Sequence, residues 1–219
     1  MSSSTSLRLR STSVLHVRAG CATRTGRPLS PEPSTQALPG CIDLPEMANA
    51  GDRFDMPDGS AYIVTRPSAQ TGGEYVEMEF VLPSGCVPPP PHVHPHQVEE
   101  YEVLEGRFEV VVESTWRTLG PGESASVPQG ALHTFRNRSG AVVRVRNWHR
   151  PAMRFEEFIE RTSQTLRTAG IKRKRDPRVY ICLSKVMLQF NDTLMPGRRR
   201  ERIPMQALAR LGDLLRLPG

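Results

Sequence analysis

The chain has 219 residues and carries 29 lysines and arginines against 23 aspartates and glutamates, a formal net charge of +6. This length suffices for one domain of ordinary size with extensions at one or both ends. Uninterrupted apolar runs stay well short of the ~18 residues that a membrane-spanning helix needs, so we expect no membrane span.

The four cysteines lie far apart in the chain and form no Cys-x-x-Cys pair. This spacing argues against a structural zinc site and against a thioredoxin-like redox centre. Thiols in a reducing cytosol are the simplest interpretation, so we expect a soluble, cytoplasmic protein. The cysteines are Cys21, Cys41, Cys86 and Cys182.

Residues 1–46 form a leader that is rich in Ser, Thr, Arg and Pro and has no sustained apolar period. We expect this segment to be disordered, because it offers too little apolar surface to offset its chain entropy. Its composition loosely resembles an organelle transit peptide, and it lacks the apolar core of a secretory signal. In the alternative interpretation Met47 is the true start and the leader is not translated.

Residues 47–151 contain short runs in which apolar and polar residues alternate, separated by Gly, Pro, Asp and Ser. Such alternation predicts half-buried antiparallel strands joined by tight turns. Many short strands at near-regular spacing predict a sandwich or barrel. The runs are AYIVTR, EYVEMEFVL, EYEVLEG, RFEVVVE, ESASVP, HTFRN and AVVRVRNWH.

Residues 152–219 show the longer apolar period of amphipathic helices. The first predicted helix, MRFEEFIERTSQTLRTAG, ends at Gly170, and we expect it to pack on the barrel mouth because it follows the last strand directly. The segment as a whole is expected to pack on the barrel or on the partner subunit of a homodimer, with a membrane-surface helix as the alternative. The predicted apolar faces are Phe155, Phe158, Ile159 and Leu166 in the first helix and Leu208, Leu211, Leu214 and Leu215 in the last.

The basic character of the protein belongs to this C-terminal third, which holds 15 basic and seven acidic residues, whereas residues 47–151 hold nine basic and 13 acidic ones. Two basic runs, KRKR at 172–175 and RRR at 198–200, lie between the predicted helices. Such clusters can bind nucleic-acid phosphates, but no aromatic residues interleave with them and no recognition motif accompanies them. We interpret them as solvated faces and expect no nucleic-acid partner.

The stretch GCVPPPPHVHPHQVEEYEVLEG, residues 85–106, concentrates histidines and carboxylates. His92 and His94 are two residues apart, so on an extended strand both imidazoles point to the same side. Glu99 follows after PHQV, a segment that could return a carboxylate to the same pocket, and His133 lies on a later alternating run. Together they would supply three nitrogens and one carboxylate, a set that suits transition metals and leaves positions open for catalysis.

These residues resemble the two signature motifs of the cupin superfamily. The second motif, G-x5-P-x-G-x2-H-x3-N, is matched in full by Gly122, Pro128, Gly130, His133 and Asn137. The first, G-x5-H-x-H-x(3,4)-E-x6-G, is matched except that six residues, CVPPPP, precede the first histidine where the pattern has five. The departure leaves the spacing of the ligands unchanged.

The resemblance covers residues ~57 to ~150 and implies a mainly β fold, a small antiparallel cupin barrel (double-stranded β-helix or jelly roll), here followed by C-terminal α-helices. It implies a divalent transition metal (Fe, Mn, Ni or Zn) held inside the barrel by His92, His94, Glu99 and His133. For activity it implies a dioxygenase-type oxidoreductase acting on a small enolic or phenolic substrate, with Glu99 as the catalytic base. The alternatives are a metal-dependent isomerase or lyase and a non-catalytic binding or sensing module.

The two-residue alternation of side chains along a strand predicts which further residues face the barrel interior. That interior is apolar except where ligands project into it. Gln97 is a candidate for orienting a bound water or substrate. Asn137 shares a strand face with His133, and Asn147 and His149 are possible pocket groups for which rim positions are expected. The predicted apolar lining is Tyr101, Val103, Phe108, Val110, Val112, Phe135, Val143 and Val145. Residues expected in an exposed loop or on the solvated strand face are His96, Glu100 and Glu102.

Overall fold

Antiparallel strands and three α-helices make up the part of the protein that this computed structural model describes, residues 48–173, 175–197 and 199–219. The interpretations of residues 1–46 lie outside that part. The strands are β1 (Arg53–Asp55), β2 (Ala61–Arg66), β3 (Val76–Leu82), β4 (His92–Val93), β5 (Val98–Glu105), β6 (Phe108–Val112), β7 (Thr115–Leu119), β8 (Ser124–Val127), β9 (His133–Arg136), β10 (Val143–Arg150) and β11 (Met195–Pro196). The helices are α1 (Phe155–Thr168), α2 (Arg178–Gln189) and α3 (Arg199–Leu214).

The strands form two antiparallel sheets, with the orders β1-β2-β3-β10-β5-β8 and β11-β4-β9-β6-β7. Side chains from both sheets share one core, in which the rings of Tyr101 and Phe108 lie 5.1 Å apart and those of Phe80 and Phe135 lie 5.9 Å apart. The predicted mainly β, antiparallel fold is confirmed. Of the residues predicted to face the interior, all are buried except Val112, which is half-buried.

Two glycines of the motifs hold strand ends in place. Gly106 ends β5 with a φ of 82°, and a Cβ at this position would lie 2.7 Å from the Val142 carbonyl oxygen. Gly130 has a φ of 75° and donates its backbone N–H to the His94 carbonyl at 2.9 Å. Both positions therefore need a residue without a side chain or with access to positive φ, and both lie beside strands that carry candidate ligands.

The first helix packs against the sheets with the face that its period predicts. Phe155, Phe158 and Ile159 are buried in the same core cluster as residues of both sheets. The buried Glu156 carboxylate accepts hydrogen bonds from the backbone N–H of Ser68, at 3.0 Å, and from its hydroxyl, at 2.5 Å. Apolar burial and a buried polar contact thus both fix α1 to the sheets.

The apolar face predicted for the last helix is wrong. Leu208 is only half-buried, while Leu211, Leu214 and Leu215 are exposed, Leu214 by 81%. The face that packs on α2 contains small or flexible residues instead, namely Met205, Ala209 and Gly212. At Gly212 a Cβ would lie 2.8 Å from side-chain atoms of Ile181 and Lys185, so the two helices approach too closely for leucine there. No helix in the described ranges has the length and apolarity to cross a bilayer.

Candidate metal centre

Four side chains of the two motifs converge between the sheets. His92 of β4, His94 two residues later and His133 of β9 come from the second sheet, and Glu99 of β5 comes from the first. All four are buried, and their potential ligand atoms lie within 4.8 Å of one another. The sequence separates the first and last of these residues by 41 positions, and the register of β4 with β9 places them directly opposite each other.

Backbone carbonyls orient all three imidazoles. Each Nδ1 lies within hydrogen-bonding distance of a carbonyl oxygen, and because a carbonyl can only accept, Nδ1 must carry the hydrogen. Nε2 is thereby left as the atom that faces the cluster and can bind a metal. The acceptors are the Pro90 oxygen, 2.8 Å from His92, the Thr193 oxygen, 2.7 Å from His94, and the Ala131 oxygen, 3.0 Å from His133.

With neutral imidazoles that carry their hydrogen on Nδ1, several buried atoms at the cluster have no hydrogen-bond donor among the described residues, namely Nε2 of His94, Nε2 of His133 and Oε2 of Glu99. They face one another: Glu99 Oε2 lies 2.8 Å from His133 Nε2 and 3.5 Å from His94 Nε2. Unsatisfied buried polar atoms are costly, and a cation is the one partner that lone pairs of both nitrogen and oxygen can share. The donor set therefore fits a divalent transition metal.

The electrostatics of the cluster favour ionised Glu99. Burial alone would raise the pKa of Glu99, but His149 and His133 outweigh it and hold that pKa well below its usual range. Burial lowers the pKa of His92 well below its usual range, assisted by the neighbouring His133 and His94. At His133 the effect of burial is overcome by the contact with Glu99, which raises its pKa. The carboxylate and the His133 imidazole thus stabilise each other in their charged forms.

His149 belongs to the cluster and does not lie at the rim, where the sequence placed it. It is fully buried, and its Nε2 lies 3.2 Å from Glu99 Oε1. Its ring stacks on Phe155 of α1 with 3.4 Å between ring centroids. Burial lowers the pKa of His149 to about 4, so this imidazole is neutral at physiological pH. Strand parity contained part of the signal, because it places His149 on the same face as Val143 and Val145, but only the structure shows that His149 is the direct cross-strand neighbour of Glu99.

Asn147 also lies deeper than the expected rim. Its side chain is fully buried, and Nδ2 donates to Glu99 Oε1 at 2.9 Å and to the Glu100 carbonyl at 3.2 Å. With Oε1 held in this way, Oε2 is the carboxylate oxygen that points to the histidines. Asn147 therefore orients the candidate ligand Glu99.

A family model described as Cupin domain matches residues 78–149. This segment spans both motifs, all four candidate ligands and the strands that carry them. The match identifies residues 78–149 as a cupin domain. No curated protein matches the chain at the sequence level.

Similar solved structures cover just under half of this chain. TT1209 from Thermus thermophilus is 26% identical over 48% of this chain and 91% of that chain, with a TM-score of 0.40. An RmlC-like cupin from Shewanella frigidimarina is 19% identical over 48% of this chain and 88% of that chain, with a TM-score of 0.41. The polyketide cyclase RemF from Streptomyces resistomycificus is 25% identical over 42% of this chain and 64% of that chain, with a TM-score of 0.37.

Two amide side chains that were predicted to lie in the pocket bind backbone instead. Gln97 is buried, and its Nε2 donates to the Pro151 and Ala152 carbonyls, both at 2.9 Å, so it fixes the connection from β10 to α1. Asn137 donates to the Leu82 carbonyl at 2.8 Å and to the Ala141 carbonyl at 2.7 Å. It thereby closes the turn before β10. Neither side chain lines the cavity described below.

The remaining predicted residues fall on the expected sides of the sheets. Tyr101 is fully buried, and burial together with the nearby Glu99 carboxylate raises its pKa well above the usual range. His96 is exposed. Glu100 and Glu102 lie on the outer face, where they form ion pairs with Arg150 at 3.0 Å and with Arg146 at 2.9 Å.

A cavity of about 590 Å³ begins at the cluster and reaches the helices. His92, His94 and Glu99 contribute its polar end, and Phe135 contributes part of its sheet wall. The opposite wall comes from α1 and α2, a contribution that the motifs could not indicate because both helices lie outside residues 78–149. The helical residues that line it include Phe155, Phe158, Ile159, Thr162, Leu183 and Met187.

Proposed function

We propose that this cupin is a metal-dependent oxidoreductase of the dioxygenase type that acts on a small organic molecule with an enolic or phenolic group. The observation that carries the proposal is the convergence of three oriented imidazoles and one carboxylate at the end of a cavity large enough for such a substrate. A divalent Fe, Mn or Ni ion held by His92, His94, Glu99 and His133 would polarise the substrate oxygen and supply the redox chemistry for reaction with dioxygen.

Glu99 is the proposed proton acceptor. Its Oε2 faces the cavity end, where a substrate hydroxyl would lie, and Asn147 holds Oε1 by a hydrogen bond. Neutral His149 lies 3.2 Å from Oε1 and can take a hydrogen bond from the carboxyl group once it is protonated. The pair would thus hold the substrate proton at Oε1 or Oε2 while the reaction proceeds.

The helices supply the apolar cover. Phe155 lies against His149 and His94, with ring centroids 3.4 Å and 5.9 Å apart respectively. Phe158 extends the same wall. By keeping water from the reacting atoms, this wall would strengthen the electrostatic interactions inside the site and protect reactive intermediates from hydrolysis.

The proposal is tested by oxygen consumption. Protein loaded with Fe, Mn or Ni is mixed with a panel of flavonols, β-diketones and hydroxy-aromatic acids, and dissolved oxygen is recorded. We expect metal-dependent uptake with at least one class and its loss in His94→Ala. Conversion of a panel compound without oxygen uptake would support the isomerase or lyase alternative, and binding without any conversion would support a binding module.

We further propose that the protein acts in the cytosol as a homodimer. Cys182 is fully buried as a free thiol, which is consistent with a reducing compartment. Ile203, Leu211 and Leu214 form an exposed apolar stripe on α3 that a second copy could cover. Sedimentation equilibrium should show a dimer for the wild type and a monomer for Leu214→Glu; a monomeric wild type would contradict this assignment.

A further inference from the structure

The cavity is long and follows α1 away from the metal centre. Phe155 stacks on His149 and marks the end at the cluster, while Leu166, three turns further along α1, also lines the cavity. Eleven residues of α-helix span about 16 Å. On α2 the lining residues Val179, Leu183 and Met187 recur every four residues, so the same helical face borders the cavity over two turns. A compact molecule would fill only one end of this space.

Charged groups on the cavity wall are already engaged. The Arg136 guanidinium pairs with Glu109 and stacks over Trp116, 3.7 Å from the ring centroid. The Asp58 carboxylate accepts backbone hydrogen bonds from Ser60 and from the residue that precedes the proline run. Within the described part of the lining, no lysine is present and Arg136 is the one arginine, so along the helical wall phosphate or sulfate groups would find no available basic side chain.

One polar atom on the helical wall lacks a partner. Thr162 is 6% exposed, lines the cavity, and its Oγ1 makes no hydrogen bond to any described residue. It lies seven residues after Phe155 in α1, about 10 Å along the helix axis. A buried hydroxyl normally finds a hydrogen-bond partner, so the body of the bound molecule is the natural source of one.

We propose that the cavity binds an elongated, largely apolar molecule with an oxygen head group at the metal centre and one hydrogen-bonding group in its body opposite Thr162. The chemical class is a phenol or 1,3-diketone with a long alkyl or polycyclic body, as opposed to a sugar or a phosphorylated metabolite. The head-group part rests on the proposed function, whereas the apolar part rests on the helical wall alone. Ile159 of α1 and Leu183 of α2 both line the helical wall of the cavity.

The test is a chain-length series of 4-alkylcatechols, from methyl to dodecyl, titrated calorimetrically into zinc-loaded protein, which is redox-silent. Affinity should rise roughly three- to fourfold per added methylene and then level off when the chain reaches about 16 Å. Glucose 6-phosphate should not bind. Affinity that is independent of chain length, or binding of the sugar phosphate, would overturn the proposal.

Substitutions in the cavity and on the outer surface should have different effects on catechol affinity. Ile159→Trp or Leu183→Trp should reduce the affinity for dodecylcatechol tenfold or more and leave that for methylcatechol unchanged, because only the apolar part is narrowed. Val142→Trp, at an exposed position away from the cavity, is the control and should leave both affinities unchanged. Equal losses in all three variants would contradict the assigned wall.

Thr162 is tested with a mid-chain ketone. Wild-type protein should prefer a dodecylcatechol analogue whose keto group lies about 10 Å from the catechol oxygens over the plain alkyl compound, by roughly fivefold for one hydrogen bond. The nearly isosteric Thr162→Val should lose this preference. Equal affinities of the two compounds for the wild type would refute the role of Thr162.

Titration of the same 4-alkylcatechols into His92→Ala distinguishes an error in the assigned apolar cavity from an error in the proposed metal centre. If the metal centre is assigned correctly, the variant loses the contribution of the head group but keeps the dependence on chain length. Equal catechol affinity in wild type and variant would count against the metal centre alone. Loss of chain-length dependence in both proteins would count against the apolar cavity alone.

Discussion

The candidate ligands owe their orientation to contacts with backbone and with a few buried side chains. Three carbonyl oxygens fix the imidazoles, and Asn147 and His149 contact one oxygen of Glu99. Such outer contacts commonly contribute one to two orders of magnitude to metal affinity. The residues that orient the candidate ligands can therefore be tested one at a time.

Replacing Asn147 by leucine should weaken metal binding. The change removes the hydrogen bond to Glu99 Oε1 at similar side-chain volume, and we expect a decrease in affinity of roughly 10- to 100-fold. Competition with a chromophoric chelator measures it. Asn191→Leu, at an exposed amide, is the control, and equal affinities of the two variants would speak against an orienting role for Asn147.

Metal binding should release protons from His133. Its pKa is raised by the contact with Glu99, and a metal ion at Nε2 has to displace the proton held there. At pH 6.5 we expect release of about one proton per ion, decreasing as the pH rises above the pKa of His133. Calorimetry in buffers of different ionisation enthalpy gives the number. Identical heats in all buffers would show that His133 is not protonated before binding.

Protein without metal should lose stability as the pH falls from 6.5 towards 4. The unfolded chain protonates His149 near pH 6.5, but the folded chain does so only near its lowered pKa of about 4. Across this window the free energy of unfolding should decrease by about 3 kcal/mol from His149 alone. His133 has the opposite effect on the free energy of unfolding. Because its pKa is raised in the folded protein, it contributes stability that is lost as the pH rises above 6.5.

Urea unfolding at pH 7 and pH 4.5 measures this change. In His149→Gln the decrease between the two pH values should be smaller, because the titrating group is gone while side-chain volume is roughly kept. Equal decreases in the wild type and the variant would assign the pH dependence to other groups.

The sequence could predict the cluster of four candidate ligands because their spacing matches the two motifs, and the two-residue period of strands places His92 and His94 on the same side. It could not predict the depth of a side chain. The alternation of the strand put Asn147 and His149 on the inner face. It did not show that Phe155 of α1 stacks on His149, or that the amide of Asn137 donates to a backbone carbonyl in a turn. Depth and hydrogen-bond partners depend on tertiary packing.

Elements with a strong period were predictable, and those without one were not. All seven alternating runs form strands. The two-residue strands β4 and β11 exist through pairing with neighbours, and β7 exposes four of its five residues, so it has no alternation to detect. The packing face of α3 was mispredicted because hydrophobic period favours leucines, whereas close approach to α2 requires small residues.

Gly212→Val should separate α3 from α2. The new side chain would meet Ile181 and Lys185 at distances below 3 Å, and overpacking of this kind typically costs 1–3 kcal/mol. Urea unfolding measures the loss, and limited proteolysis should cut α3 more rapidly. Ala207→Val, on the exposed side of the same helix, is the matched control. Equal stability of the two variants would contradict the close contact.

The barrel and the helical segment contribute different parts of one candidate site. The barrel supplies the four candidate ligands, and residues after 151 supply the apolar cover and the Thr193 carbonyl that orients His94. The cluster of candidate ligands was predictable because it lies within residues 78–149, which the Cupin domain model matches. The cavity was not, because its second wall depends on how helices beyond that segment dock.

The metal content of purified protein shows whether the four clustered side chains bind a metal ion. Wild-type protein prepared under reducing, chelator-free conditions should contain about one divalent transition-metal ion per chain by elemental mass spectrometry. His92→Ala and His133→Ala should lose most of it, and His96→Ala, at an exposed neighbouring histidine, should retain it. A wild-type protein without metal, even after incubation with Fe, Mn, Ni and Zn, would contradict the assignment.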